Sequence, residues 1–272
     1  MSEPVFYING QLTPRSQASI AIESIGLQRA FGIFDLFRTR DTIPTFLPDY
    51  LQRFDRSQRF LDLSETVAVE KIESIVQDLQ QRNGFQHSTF KIVLLGDGVD
   101  TDPFFTPHLS ILNLPFDPGT VPDKISLITH EYVRENPSIK SLNYAMSFSL
   151  QKRKIAAGAA EILFHHKDLL SECSRCNVFL VKDGFVLTPS KNILEGITRK
   201  HVMNIASTVG QLEVRDISVE ELLQADEVFV TSTTKAIMPV FQIDEKPVGG
   251  GKIGPITKKL QVGFQEYLRS LH

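Results

Sequence analysis

The chain has no tryptophan and only two cysteines, Cys173 and Cys176, among its 272 residues. Two thiols three positions apart exclude the disulfide framework that staples small secreted domains. Long apolar runs are missing as well. Stretches such as Ile92 to Leu95 fall far short of the roughly 18 residues that suggest a spanning helix. The opening MSEPVFYINGQ has neither a basic region nor an apolar export segment. Positive charge is not in excess: 29 Lys and Arg face 32 Asp and Glu, a net charge of −3 spread along the chain. That balance gives no push towards nucleic acid or anionic lipid. The expectation is a cytoplasmic protein with no membrane and no nucleic-acid partner.

At about 150 residues per domain, this length suits one large domain or two smaller ones, enough to bury a core without a staple. There is no repeat, low-complexity tract or charge block. Strand-like and helix-like segments alternate, which predicts a mixed α/β architecture. Val5–Ile8 and Leu12 flank Asn9-Gly10, a type I′ hairpin signal. Ile33–Arg40 reads as a strand. Pro48 opens a predicted helix over Asp49–Leu61, with Leu51, Phe54, Phe60 and Leu61 as its apolar face. A second helix is predicted over Thr66–Arg82, entered at Ser64 and stopped near Gly84. Strands are expected at Phe90–Leu95, Leu109–Leu114 and Lys124–His130. Pro115 to Asp123 holds three prolines and a glycine in nine residues, the best linker in the chain. Beyond it, a helix is expected up to about Ala157, stopped by Gly158. Strands follow from Ala160 to Leu187, then a helix from Gly196 to about Ala206, strands at Glu227–Thr231 and Ile237–Phe241, and a helix over Pro255–Leu271.

Three patterns carry possible chemistry. Cys173-Ser-Arg-Cys176 reads as a zinc half-site or redox pair, or as two incidental thiols; with no second cysteine pair, four zinc ligands are hard to find, and no metal is expected. Ile193-Leu-Glu-Gly196-Ile197-Thr198-Arg199 crosses from loop to helix. It is either an ordinary helix start or a cradle of free amides and a hydroxyl for a phosphate or carboxylate. Thr231-Ser232-Thr233-Thr234 follows a predicted strand and places four hydroxyls at its end. Residue chemistry alone stops at an α/β protein with a possible anion site in its second half.

Taken in order, a longer series of segments resembles the class IV (fold-type IV) pyridoxal-phosphate enzymes, which include branched-chain and D-amino-acid aminotransferases and aminodeoxychorismate lyase. The series runs through Gly32-Ile-Phe34-Asp35, Leu51-Gln-Arg53-Phe-Asp-Arg-Ser57, Lys140-Ser-Leu-Asn-Tyr144 and Gly158-Ala-Ala-Glu161. It continues through Ser171-Glu172 to Phe179, Thr188-Pro189, Ile193 to Arg199 and Thr231 to Pro239. The resemblance implies a small α/β domain over 1–116, a linker at 117–122 and a larger β-rich domain over 123–272, with pyridoxal 5'-phosphate in the cleft and a homodimer as the assembly.

It also implies roles. Lys140 matches the Schiff-base lysine, and Glu172 the carboxylate that faces the pyridine nitrogen. Arg53 matches the phosphate-binding arginine, whose fork suits a dianion. Ile197 and Thr198 match the amides of the phosphate cradle, Ser232 and Thr233 its remaining contacts. Tyr144 matches a tyrosine that hydrogen-bonds the ring's phenolic oxygen. Phe34 and Lys91 are the candidate substrate residues. Cys176 falls where the family usually has serine. The chain departs from its relatives at Gly96-Asp97, where most carry a carboxylate-binding arginine; no arginine occurs between Arg82 and Arg134, and Lys91 is left as a point charge. The leading expectation is an amino-acid transaminase of D-amino-acid or branched-chain type. The alternative is aminodeoxychorismate lyase, releasing 4-aminobenzoate and pyruvate in folate biosynthesis, and a third reading is a non-catalytic binding relative.

Overall fold

The computed structural model describes residues 3–63, 65–98, 104–117 and 122–271. Two compact units divide the chain: Met1–Gly119 with Ile139–Asn143, and Thr120–Ser138 with Tyr144–His272. Of the expected linker at 117–122, residues 118–121 lie outside the described residues, as does Ser64.

The first unit opens on β1 (Val5–Ile8) and β2 (Gln11–Pro14), paired antiparallel with Ile8 opposite Gln11. Between them Asn9 and Gly10 both have positive φ, 40° and 99°, as a two-residue I′ turn requires. With β3 (Gly32–Arg40), β4 (Ile43–Pro44), β5 (Ser88–Asp97) and β6 (Thr106–Pro115) they form a six-stranded sheet in the order β2-β1-β6-β5-β3-β4. Along β3 the faces alternate. Ile33, Asp35, Phe37 and Thr39 are buried, while Phe34, Leu36 and Arg38 are partly exposed. Phe37 stacks on Phe90 at 5.0 Å.

Helix Leu47–Phe60 carries Pro48 in its first turn and buries Leu47, Tyr50, Leu51 and Phe54, a helical stripe. Phe60 does not join it. Six residues past Phe54 it falls on a different side of the helix and is 53% exposed, against the expectation for this face. The next helix is Val69–Asn83, beginning later than expected and ending on Gly84 in the left-handed region.

The second unit is built on β7 (Ile125–Glu131), β8 (Glu161–His166), β9 (Leu169–Cys173), β10 (Asn177–Lys182), β11 (Phe185–Pro189), β12 (Gln211–Arg215), β13 (Glu227–Ser232), β14 (Ala236–Ile243) and β15 (Lys246–Pro247). Their order is β12-β11-β10-β13-β14-β7-β8-β9, with β15 on β14. Pairs β7–β8, β7–β14 and β11–β12 are parallel. One face packs Leu127, Leu163, Val178, Leu180, Val228 and Val230 into a core. Phe179 stacks on Phe229 at 4.9 Å.

The single helix expected up to Ala157 is two, Ala145–Ser149 and Gln151–Ala156, separated at Leu150. Helix Ile197–Val209 starts where expected, on Gly196. Strand β12 and helix Val219–Leu223 were not anticipated; the latter has a reciprocal capping box between Ser218 and Glu221. Helix Pro255–Ser270 closes the chain. Its first amides, Ile256 N and Thr257 N, donate to the buried Glu227 carboxylate at 3.0 and 2.7 Å. Among the described residues no helix is long and apolar enough to cross a membrane.

Candidate active site

Lys140 belongs to the first unit. Its carbonyl accepts from Phe34 N at 2.9 Å, and Leu142 N donates to Gly32 O at 3.0 Å. Ser141 bridges Ile33, so residues 139–143 run antiparallel beside β3. The partly exposed face of β3 then meets two ammonium groups. Lys140 Nζ lies 4.7 Å from the centre of the Phe34 ring, and Lys91 Nζ, from β5, lies 5.1 Å from the same centre. Both distances suit cation–π attraction. Phe34, Lys91 and Lys140 are thus brought together.

Arg53 projects from helix Leu47–Phe60 towards the opposite, buried face of β3. Its Nε and NH2 donate to both oxygens of Asp35, at 2.9 and 2.6 Å, and its guanidinium lies over Tyr50. This two-point pair is fully inside the unit, with side chains 5% and 0% exposed. Asp97, at the position without an arginine, lies 3.7 Å from His108.

In the second unit Glu172 stands on β9, 6% exposed. Arg134 Nε donates to Glu172 Oε1 at 3.0 Å, and Leu194 N donates to Oε2 at 2.9 Å. The Arg134 guanidinium also reaches the carbonyl of Ser174 and lies 4.5 Å over the Tyr144 ring. Glu172 and Tyr144 are therefore tied together by an arginine that the sequence did not single out.

Ile197 and Thr198 are buried at the first turn of their helix, and no side chain caps it. Gly196 is needed here for space, not for its backbone angles: a Cβ would stand 2.0 Å from Asn177 Oδ1. Asn177 is itself fixed, donating to Leu194 O at 2.8 Å. The turn after β13 presents Ser232 and Thr233. Ser232 Oγ accepts from Lys235 N at 3.1 Å, and Lys235 Nζ crosses to Glu161 Oε1 at 2.8 Å. Glu161 is fully buried and receives Ser174 Oγ and Arg175 as well, the latter at 3.0 Å. Burial pushes its carboxyl up, but the Lys235 and Arg175 charges outweigh that and hold it below the ordinary carboxylate value.

The two cysteines lie against this cluster, both free and buried. Burial pushes the Cys176 thiol up to about 12 and Cys173 well above its ordinary value, so both are neutral thiols near pH 7. Among the described residues no group of three or more His, Cys, Asp or Glu is placed to hold a metal ion.

Asp35, Arg134, Glu161 and Lys235 are the site residues that sequence reasoning passed over. Each matters through a partner far along the chain, and no local motif marks such a pair.

The first unit holds a lysine on an aromatic ring, and the second holds a buried carboxylate pinned by a guanidinium and a helix start without a side-chain cap, which suits an anion. Residues 32–243 match the family model Amino-transferase class IV. The chain belongs to that family, and it is an aminotransferase of the group that holds the branched-chain and D-amino-acid enzymes. It is 30% identical, over 96% of its length and 95% of the relative's, to a putative branched-chain-amino-acid aminotransferase of Methanocaldococcus jannaschii. It is also 30% identical to the D-alanine aminotransferase of Staphylococcus haemolyticus, over 97% of this chain and 98% of the other. Among solved structures, the T.th. branched-chain amino acid aminotransferase with pyridoxamine 5'-phosphate aligns with a TM-score of 0.90 at 26% identity, covering 98% of this chain and 95% of that one. The fold is therefore that of the fold-type IV enzymes.

Proposed function

We propose that this chain uses pyridoxal 5'-phosphate to move an amino group from an amino acid, of D or branched-chain type, to a 2-oxo acid. The observation that carries this reading is the helix start at Gly196, where first-turn amides lie without a side-chain cap beside a glycine that admits no Cβ. Such a terminus favours a phosphate, and the pyridoxamine 5'-phosphate of the solved relative named above is a group of that kind. When bound, the cofactor supplies an electrophilic carbonyl and a ring that withdraws electrons from the substrate's α-carbon.

The chain's own residues supply the rest. Lys140 is the primary amine that holds the cofactor covalently and then carries the substrate's α-proton on Nζ. Glu172 offers its carboxylate to the ring nitrogen, and Arg134 with Leu194 N keeps that carboxylate from turning away. Ile197, Thr198, Ser232 and Thr233 donate to the phosphate, and Arg53, whose Nε and NH2 are taken by Asp35, adds its positive charge. Tyr144, under the Arg134 guanidinium, donates to the ring's phenolic oxygen. Lys91, on the ring it shares with Lys140, attracts the substrate carboxylate, and Phe34 orients both ammonium groups. The same reading takes the working form to be a homodimer in the cytoplasm.

The test records the visible spectrum of the purified protein and challenges it with L- and D-amino acids and with aminodeoxychorismate. Loss of the cofactor band with a 2-oxo acid formed is the expected result, and Lys140→Ala is expected to lack the band while keeping its fold. A normal band in Lys140→Ala refutes the lysine's role. Release of 4-aminobenzoate with little response to amino acids replaces the transaminase with the lyase.

A further inference from the structure

Resting on the cofactor reading above, we propose that Lys235 is a positioning residue for the phosphate: its ammonium, locked on buried Glu161, fixes the turn that presents Ser232 and Thr233.

The turn joins β13 to β14, and Lys235 anchors it twice. Its backbone N donates to Ser232 Oγ at 3.1 Å, closing the turn on itself, and its Nζ reaches Glu161 Oε1 on β8 at 2.8 Å. The side chain is only 20% exposed, and Glu161 not at all. The second anchor is well made. One carboxylate receives Lys235, Arg175 and Ser174, so its lone pairs are met, as a buried ion requires.

Below the turn, Cys176 Sγ lies 3.8 Å from Lys235 Nζ. This gives the second cysteine a place: a neutral thiol against the Lys235 ammonium. Ala236, directly after Lys235, sits at φ 51°, a left-handed conformation costly for alanine. Something must hold the backbone there, and the Lys235–Glu161 pair flanks the strained position. Charge adds a second reason. One carboxylate faces two cations, so the cluster carries a surplus positive charge beside hydroxyls proposed to meet a dianion. Replacing Lys235 by an uncharged side chain removes that surplus and loosens the turn, and a ligand without phosphate does not feel either change.

The experiment titrates the full-length protein, stripped of cofactor, with pyridoxal 5'-phosphate and with pyridoxal, following the visible band. Lys235→Met is expected to weaken pyridoxal 5'-phosphate about tenfold or more, to leave pyridoxal within about twofold, and to weaken competition by inorganic phosphate. Lys235→Arg is expected to regain most of the difference. Equal weakening of both ligands, or of neither, overturns the proposal. Because Lys235→Met strands a buried carboxylate, the double variant Glu161→Met with Lys235→Met is measured beside it. Arg175 leaves it the wild-type surplus charge but the anchor is gone, so it too is expected to lose part of the preference for the phosphorylated ligand, and full retention of that preference overturns the proposal. If the unaltered protein develops no band with pyridoxal 5'-phosphate, the cofactor reading fails and this inference with it. A normal band whose phosphate preference survives both variants sinks the inference alone.

Discussion

Arg134 binds Glu172 through Nε at 3.0 Å, with side chains only 12% and 8% exposed. Removing the arginine takes the paired positive charge from a carboxylate inside the fold. Arg134→Met is expected to cost about 3–5 kcal/mol of stability, read from urea unfolding, and to lower turnover further by freeing Glu172 to rotate. Arg134→Lys restores charge without the fork and is expected to fall between. A wild-type urea midpoint in Arg134→Met contradicts this account.

Asp35 and Arg53 form the matching pair in the first unit. Asp35→Leu and Arg53→Met are each expected to destabilise strongly, while the double variant recovers much of the loss because no charge is stranded. The check is a double-mutant cycle by denaturant unfolding; strictly additive effects are the result against it. If Asp35 orients Arg53 for phosphate, the recovered double variant still binds cofactor poorly.

The Glu161 cluster predicts a pH dependence with a definite sign. Its folded carboxyl titrates below the ordinary value of 4.5, so its contribution is present above that pH and is lost as pH falls through the lower, folded value. The difference in Tm between the wild-type protein and Glu161→Gln is expected to be largest near neutrality and to shrink below about pH 4.5. A difference that grows on acidification rules out an ionised Glu161.

Both thiols, buried and neutral, are expected to resist alkylation in the native protein and to react once it is unfolded. Counting modified cysteines by mass spectrometry, with and without denaturant, decides this. Rapid labelling of the native chain removes the structural role given to Cys176.

Lys91→Met is expected to raise KM for the amino-acid donor more than it lowers kcat, because a point charge that attracts the carboxylate acts on binding. A fall in kcat at constant KM assigns Lys91 to the proton-transfer step instead.

Local signals survived well from sequence to structure. Asn9-Gly10 made its hairpin, Gly84 ended its helix and Gly196 began one, because each reports a backbone requirement met within a few residues. Ser218 and Glu221 held an equally local signal for the Val219–Leu223 helix that went unread. The candidate residues Lys140 and Glu172 had no signal of their own and came only through the ordered resemblance. What stayed hidden was pairing at a distance: Asp35 and Arg53 are 18 positions apart, Glu161 and Lys235 74. A buried charge in a sequence looks like any surface charge until its partner is known. The apolar face assigned to Phe60 failed for the opposite reason, a hydrophobic residue counted inward when its angle on the helix turns it out.

Residues 139–143 have a consequence for how the chain can be divided. The path leaves the first unit, enters the second, returns to lie along β3 and departs again, so the unit that ends near residue 117 is completed by a five-residue strip made later. A gene cut at the proline-rich stretch would encode a fragment whose Gly32 carbonyl and Phe34 amide have lost their partners, and which lacks Lys140 altogether. The lysine proposed to hold the cofactor and the strip that completes the sheet share the same five residues, so a truncation or circular permutation that disturbs one disturbs the other.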